Sequence, residues 1–370
     1  MTAKTQRRRY ILGFFSKIKS AVGRGLERAR YTTALGVNLK LRIEVESHPI
    51  EVSGMLSRNA YAEAETSCFN GNLIGHMTHH VSPQRFTYTL KDVVVLGPAS
   101  LVFKGDSLVA ESSSWPAYRA LISNGRLRAS KKGEVEQRSA VVLPQSSYYH
   151  WLTEDLPAFL AATKCAPDAQ IWTHSEPPTY VADFISEFLP YMPKFYTRSL
   201  KAQAVTFTGK NGIIGYPQTA DILALREFFE VTSRVPKDAL AVYVSRRKAS
   251  RSPLGELELE ERLSSIGVSV LNSEHISLGQ QIETFKLASL VIGPHGAGLA
   301  NSLFMPQGHV IELTNARKSN DCIQILAQKC GHAYTDLAIG DELDASAIAI
   351  VTNAVSETLK SLNERKRRQA

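Results

Sequence analysis

From Tyr148 onward the chain alternates short apolar runs with amphipathic segments, and this alternation restricts the possible folds more than any other feature. A helix is expected over 148–163, a strand at Ile171–Thr173, a helix at Val181–Phe188, a strand at Ala204–Phe207 and a helix at Ile222–Thr232. Pro236-Lys237-Asp238 reads as a linker, and beyond it the repeat is cleaner. Strands at Ala241–Ser245, Val268–Leu271, Leu290–Ile292 and Val310–Leu313 lead in turn to helices around Glu256–Ser264, Gly279–Ala288, Gly298–Phe304 and Asp321–Cys330, and a last helix runs from about 344 to 363. Strand–helix repetition of this kind makes a parallel sheet covered by helices. Residues 36–146 differ: they carry short β-type runs at Leu39–Val45, Phe86–Leu90, Val93–Leu96, Ser100–Phe103, Ser107–Glu111 and Ala140–Leu143. Turn residues such as Gly97-Pro98 separate some of them. The expected organisation is an arm over 1–35, a β-rich plus α/β unit over 36–235, a second α/β unit over 236–343, and a helix with a basic tail over 344–370. The fold class is α/β, with the two units facing a cleft.

The net charge of +8 resembles a nucleic-acid signature until it is placed along the chain. Residues 1–30 hold nine Lys/Arg against Glu27, and 360–370 hold five against Glu364, which leaves 29 bases and 33 acids in the body. A nucleic-acid-binding fold would carry its positive footprint on the body, so no nucleic-acid partner is expected. In the arm, Ile11, Phe15, Ile18, Val22 and Leu26 recur at helical spacing beside Lys17, Lys19, Arg24 and Arg28. That pattern suits a basic helix on an anionic membrane surface, although Gly13, Gly23 and Gly25 weaken a helix and leave a solvated arm as the alternative. The apolar stretch after Arg9 is too short for a signal-peptide core. No run approaches the roughly 18 apolar residues of a membrane span. The four cysteines form no CxxC pair and no zinc spacing, which fits a reduced cytosolic compartment. The expected location is cytoplasmic, at the inner face of the cytoplasmic membrane.

Three stretches carry chemistry. The first is Val291-Ile292-Gly293-Pro294-His295-Gly296-Ala297-Gly298-Leu299-Ala300-Asn301, an apolar run entering a glycine-rich turn and then a helix. Glycines admit close backbone approach, and a helix start offers unpaired N–H groups with partial positive charge, so this is an expected phosphate seat. It lacks the GxGxxG order of dinucleotide folds, and no Walker sequence occurs. Glu312 ends the next strand, where an acid can accept from ribose hydroxyls; a tight turn with a capping Glu would read similarly. The second stretch is Ser245-Arg246-Arg247-Lys248-Ala249-Ser250-Arg251, whose guanidinium groups suit phosphate oxygens. The third is Tyr148-Tyr149-His150-Trp151-Leu152-Thr153-Glu154-Asp155-Leu156-Pro157, following the run at Ala140–Leu143. His150, Glu154 and Asp155 are the candidate catalytic groups. If Thr153 were an N-cap, however, the two acids would simply answer the helix dipole. No DxD, HExxH or GxSxG motif occurs, and no metal site is expected.

Together these stretches resemble glycosyltransferase family 61, a group that includes plant β-1,2-xylosyltransferases, the extracellular O-linked N-acetylglucosamine transferase and bacterial polysaccharide-assembly proteins. The matching residues are Tyr149 through Pro157, Ser245-Arg246 with Arg251, Gln281, and His295-Gly296-Ala297-Gly298-Leu299-Ala300-Asn301 through Glu312, within about 140–335. Ala300 stands where the family often has Thr, and residues 1–70 show no family pattern. The resemblance implies a GT-B-like fold of two Rossmann-like domains, an inverting and metal-independent transfer, and no cofactor beyond a nucleotide-sugar co-substrate, UDP-type by the family's habit. The acceptor would be a glycan or glycolipid in surface polysaccharide or lipopolysaccharide biosynthesis.

On this reading Ser245, Arg246, Arg251, His295, Gly296, Ala297, Gly298, Asn301 and Glu312 hold the nucleotide sugar, and His150 or Asp155 takes the acceptor proton. A helix dipole contributes roughly 0.3–2 kcal/mol and each charged hydrogen bond roughly 1.5–3 kcal/mol. Rate enhancement needs about 8–23 kcal/mol, so orientation, worth up to about 7–11 kcal/mol, must supply much of it. Domain closure is therefore expected, with a separable C-terminal domain that binds nucleotide alone. Three alternatives compete. His150 and Asp155 also have the HxxxxD spacing of acyltransferases, but Phe304-Met305-Pro306-Gln307-Gly308 lacks the companion Glu. A catalytically silent nucleotide-sugar-binding assembly protein and a dinucleotide oxidoreductase are the other two.

Overall fold

The computed structural model describes residues 87–104, 107–109, 112, 133–209, 215–236, 239–247, 253–315, 320–340 and 342–369, with four short strands upstream. Those strands are β1 (Arg30–Thr32), β2 (Asn38–Leu39), β3 (Ser67–Cys68) and β4 (His79–His80). The rest of the arm, most of the run expected at 39–45, and the loop carrying Arg251 lie outside the described residues.

Two larger sheets organise the chain. The first contains β5 (Thr87–Leu96), β6 (Leu101–Lys104), β7 (Ser107–Val109), β8 (Glu134–Leu143), β9 (Gln170–His174), β10 (Lys194–Tyr196) and β11 (Ser199–Thr208), in the order β10-β9-β8-β11-β5-β6-β7-β1-β2. Its β10-β9-β8-β11 half is parallel. In chain order those four strands run 3-2-1-4, the sequence found in doubly wound folds. β5, β6 and β7 extend it antiparallel. The sheet curls on itself: the Gln145 N–H donates to Pro98 O at 2.7 Å and the Tyr196 hydroxyl to Gly97 O at 2.7 Å. The second sheet contains β12 (Leu240–Val244), β13 (Ser269–Leu271), β14 (Ala288–Pro294), β15 (His309–Thr314) and β16 (Ala333–Ala338). It is wholly parallel in the order β13-β12-β14-β15-β16, which is 2-1-3-4-5 by appearance. β14 is buried along its whole length, as its largely apolar run suits a central parallel strand.

The helices are α1 (Leu156–Cys165), α2 (Thr179–Phe188), α3 (Thr219–Phe228), α4 (Glu256–Ser265), α5 (Leu278–Lys286), α6 (Cys322–Lys329) and α7 (Ala345–Gln369). Among the described residues no helix is long and apolar enough to cross a membrane. Leu259 and Leu263 turn one face of α4 into the core under β12, and α7 packs beside them. A backbone bond of 2.8 Å from Leu343 N to Leu254 O ties the entry of α7 to the entry of α4.

The two sheets do not form separate bodies. Leu143, Trp151, Phe159 and Phe184 from the first half share one continuous cluster with Val244, Phe285, Leu299 and Phe304 from the second. Phe229 meets Phe304 edge-on at 5.2 Å. Polar bonds reinforce this join. Asp183 and Glu187, one turn apart on α2, accept from the Leu278 and Gly279 N–H groups at 2.9 and 2.7 Å, so carboxylates of one half cap α5 of the other. Arg226 on α3 donates to Leu303 O, Met305 O and Pro306 O at 2.7–3.1 Å. Cutting the chain near 235 would expose this shared core.

Three local expectations also change. The runs at 86–90 and 93–96 are one strand, β5. Strands β10 and β16, both at sheet edges, were not foreseen because each is short and half-exposed. The segment expected to be a helix from Gly298 is a 3-10 helix over Ala297–Phe304.

Two outcomes follow. Phe304→Ala removes a fully buried ring from the shared cluster. It should cost about 3–5 kcal/mol and lower one cooperative transition in calorimetry, not one of two. His332 is buried with Nε2 against Ser302 O at 2.9 Å. Burial, with Arg226 nearby, lowers its pKa to about 4. A depressed histidine contributes stability above its unfolded pKa near 6.5 and loses it as pH falls toward the folded value. The unfolding free energy from denaturant titration should therefore fall between about pH 6.5 and 4, by up to about 3 kcal/mol, and His332→Gln should flatten that slope.

Candidate active site

Ligands of open α/β sheets bind at the carboxyl ends of strands where the strand order reverses. In the first sheet that point lies between β8 and β11, and β8 runs directly into Tyr148–Asp155. In the second it lies between β12 and β14, whose ends carry Ser245-Arg246 and Pro294-His295. All three stretches singled out in the sequence thus stand at switch points, and the two points face each other. The turn Tyr148–His150 packs against the 3-10 helix Ala297–Phe304.

The Tyr148–Cys165 helix is interrupted by a π-helical segment, Trp151–Asp155, in which the Leu156 N–H reaches back to Trp151 O. Pro157 supplies the local cause: it has no N–H for Thr153 O, and its ring crowds that carbonyl. π-turns of this kind gather at functional sites. Thr153 is not an N-cap. It lies inside the helix, and its hydroxyl donates to Tyr149 O at 2.7 Å. Glu154 and Asp155 therefore do not sit in a first turn answering the dipole. Glu154 Oε1 lies 2.8 Å from His150 Nδ1 and accepts the Gly215 N–H at 2.8 Å. Asp155 is buried beside Tyr180, whose hydroxyl burial and the Asp155 charge push up to about 12. Of the three candidates, His150 and Glu154 remain partly exposed while Asp155 is withdrawn from solvent.

Around the glycine-rich turn the contacts are close. Arg246 Nη1 donates to His295 O, and the Arg246 N–H donates to Glu256 Oε1 at 2.7 Å. Ser245 Oγ donates to Glu260 at 2.5 Å. A Cβ on Gly298 would stand 2.8 Å from Val244 Cγ1. Gly298 is therefore required by the approach of the 3-10 helix to β12, whatever binds above it. His295, Gly296, Ala297 and Gly298 stay partly or fully exposed. The structure brings Arg246 and this turn together; Arg251 lies outside the described residues.

Two of the expected ligand contacts are buried and engaged within the protein. Asn301 is fully buried: it accepts from the Tyr148 hydroxyl and its amide donates to Gln281 Oε1 at 2.8 Å. Gln281 in turn donates to Ser273 O at 2.9 Å. Asn301 is thus a bracket between the two halves. Glu312 is also fully buried, with Oε1 2.6 Å from His295 Nδ1 and Oε2 accepting from the Tyr334 hydroxyl. It is the fourth of the six residues of β15, two short of the strand end, and both oxygens are engaged. Sequence reasoning missed Tyr334, Glu256 and the Asp183/Glu187 pair.

The family model for glycosyltransferase 61 matches residues 148–311, from the Tyr148 turn to β15. The chain carries a glycosyltransferase 61 domain. It is accordingly a glycosyltransferase, an enzyme with a donor and an acceptor substrate, and the acyltransferase and oxidoreductase readings fall away. The matched span holds the switch point between β12 and β14 and the Tyr148–Asp155 turn, and omits β1–β8, α6, β16 and α7. No curated protein matches the chain.

Asn301→Ala should leave Tyr148 and Gln281 without their buried partner. A loss of about 1–3 kcal/mol is expected, read as a lower urea midpoint. The effect of Tyr148→Phe combined with it should be less than additive.

Proposed function

We propose that this glycosyltransferase is inverting and metal-independent and moves a sugar from a nucleotide sugar to a glycan or glycolipid acceptor. The observation that carries the reading is the folding of Arg246 onto an exposed glycine-rich turn at the switch point of a 2-1-3-4-5 sheet. Backbone amides and a guanidinium there suit a diphosphate. The arrangement is GT-B-like in having two α/β halves with facing switch points, divided near residue 236. Across the join, the acceptor oxygen attacks the anomeric carbon opposite the diphosphate. The bond to the diphosphate breaks with its electron pair on the leaving oxygen, and the acceptor proton passes to the His150 imidazole. Glu154, held by Gly215, orients that ring. The Asp155 alternative loses weight because its carboxylate is buried. The absence of a DxD motif supports neutralising the leaving group with Arg246, the turn amides and, from the sequence, Arg251.

A UDP-type donor, a role in surface polysaccharide or lipopolysaccharide assembly, and a site at the cytoplasmic face of the membrane complete the proposal. The basic arm over 1–30 supports the last. Because the halves share a core, preorganised positioning replaces wide domain closure as the source of orientation.

A thermal-shift panel of nucleoside diphosphates tests this. A ligand at 100 times its Kd should stabilise the wild type by about 2.7 kcal/mol. Arg246→Ala should keep the far-UV spectrum, lose that shift and cut transfer about 10- to 100-fold. Unchanged turnover would remove Arg246 from the site.

A further inference from the structure

His295 is the most tightly constrained residue of the glycine-rich turn. Its N–H donates to Leu313 O at 2.9 Å, its carbonyl accepts from Arg246, and its Nδ1 is 2.6 Å from Glu312 Oε1. Nε2 has no partner among the described residues, and the ring is 24% exposed where Glu312 is wholly buried. Glu312 is itself held from behind by the Tyr334 hydroxyl on the next strand. Burial and the Glu312 charge raise the Tyr334 pKa far above its ordinary value, so the phenol remains a donor throughout the working range. A carboxylate with both oxygens fixed has one orientation, and it passes that orientation to the histidine ring.

We propose that Glu312, braced by Tyr334, is a positioning residue that holds His295 as an imidazolium with Nε2–H presented to a diphosphate oxygen. This rests on the nucleotide-sugar reading and replaces the expectation that Glu312 meets the ribose. With Nδ1–H committed to Glu312, a neutral ring would offer Nε2 as an acceptor, which repels phosphate; the charged ring offers a donor. Several groups act on that charge. Glu312 favours it, and Arg246 on the β12 loop opposes it. Asp336 on β16 and Asp321 before α6 lie behind Tyr334, and Glu256 on α4 holds the Arg246 backbone. The anchored carboxylate is in direct contact with the ring, at 2.6 Å from Nδ1.

The experiment compares UDP with inorganic pyrophosphate on the full chain, wild type against Glu312→Gln, by calorimetry from pH 5.5 to 8.5. In parallel, the His295 ring resonance is titrated, assigned with His295→Gln. The wild type should bind both probes more tightly below the imidazolium pKa. In Glu312→Gln the ring should titrate at lower pH. At pH 7 both probes should weaken by the same factor, at least about tenfold, with affinity recovering at pH 5.5. Tyr334→Phe, which keeps the carboxylate charge, should produce a smaller shift in the same direction. Loss for UDP with pyrophosphate unaffected would restore the ribose role and overturn the proposal. An unmoved ring titration in Glu312→Gln would overturn it as well. A wild type that binds neither probe would end the donor reading along with it, whereas normal wild-type binding with an unchanged pH profile in the variant would end this inference alone.

Discussion

The buried join between the two sheets is the constraint on which the rest of the site depends. The Tyr148–Asn301–Gln281 chain, the Asp183 and Glu187 caps on α5, and the aromatic contact of Phe229 with Phe304 lie along one continuous core. Each unit alone would leave a broad apolar face in water, at roughly 25 cal/mol for every Å² exposed. Joined, they hold two strand-order reversals opposite each other at a separation that side-chain packing sets. Close-packed interiors deform little, so the geometry between the π-turn and the glycine-rich turn is inherited from folding and does not have to be re-formed at each turnover.

The two switch points are built alike. Each presents a histidine whose Nδ1 rests on a glutamate: His150 on Glu154 in the first half, His295 on Glu312 in the second. Their environments differ in one respect. Glu154 is partly exposed and shared with a backbone N–H, whereas Glu312 is fully buried and shared with a phenol. The two rings are similarly exposed, at 23% and 24%, so the difference lies in the carboxylate behind each.

Much of this arrangement was legible in the sequence. The strand–helix alternation gave the parallel sheets, and the three motifs fell at the strand ends where such sheets bind ligands. The Arg246 contact with the glycine-rich turn follows from their positions after neighbouring strands. What stayed hidden was burial. Asn301 and Glu312 are polar residues at suggestive positions, and nothing local reveals that their partners, Gln281 with Tyr148 and Tyr334 with His295, come from distant elements and seal them. Asp183 and Glu187 read as ordinary solvent-facing acids because the helix end they cap lies about 90 residues away in sequence. Pro157 was visible, but its effect on the preceding turn needed coordinates.

The tie between Leu343 and Leu254 has a further bearing on the basic tail. From that tie α7 continues for 25 residues, which at 1.5 Å per residue carries its far end about 37 Å away. That is several Debye lengths at physiological ionic strength. A charge at the far end of α7 is therefore screened from the tie at its base, which stands beside the entry of α4.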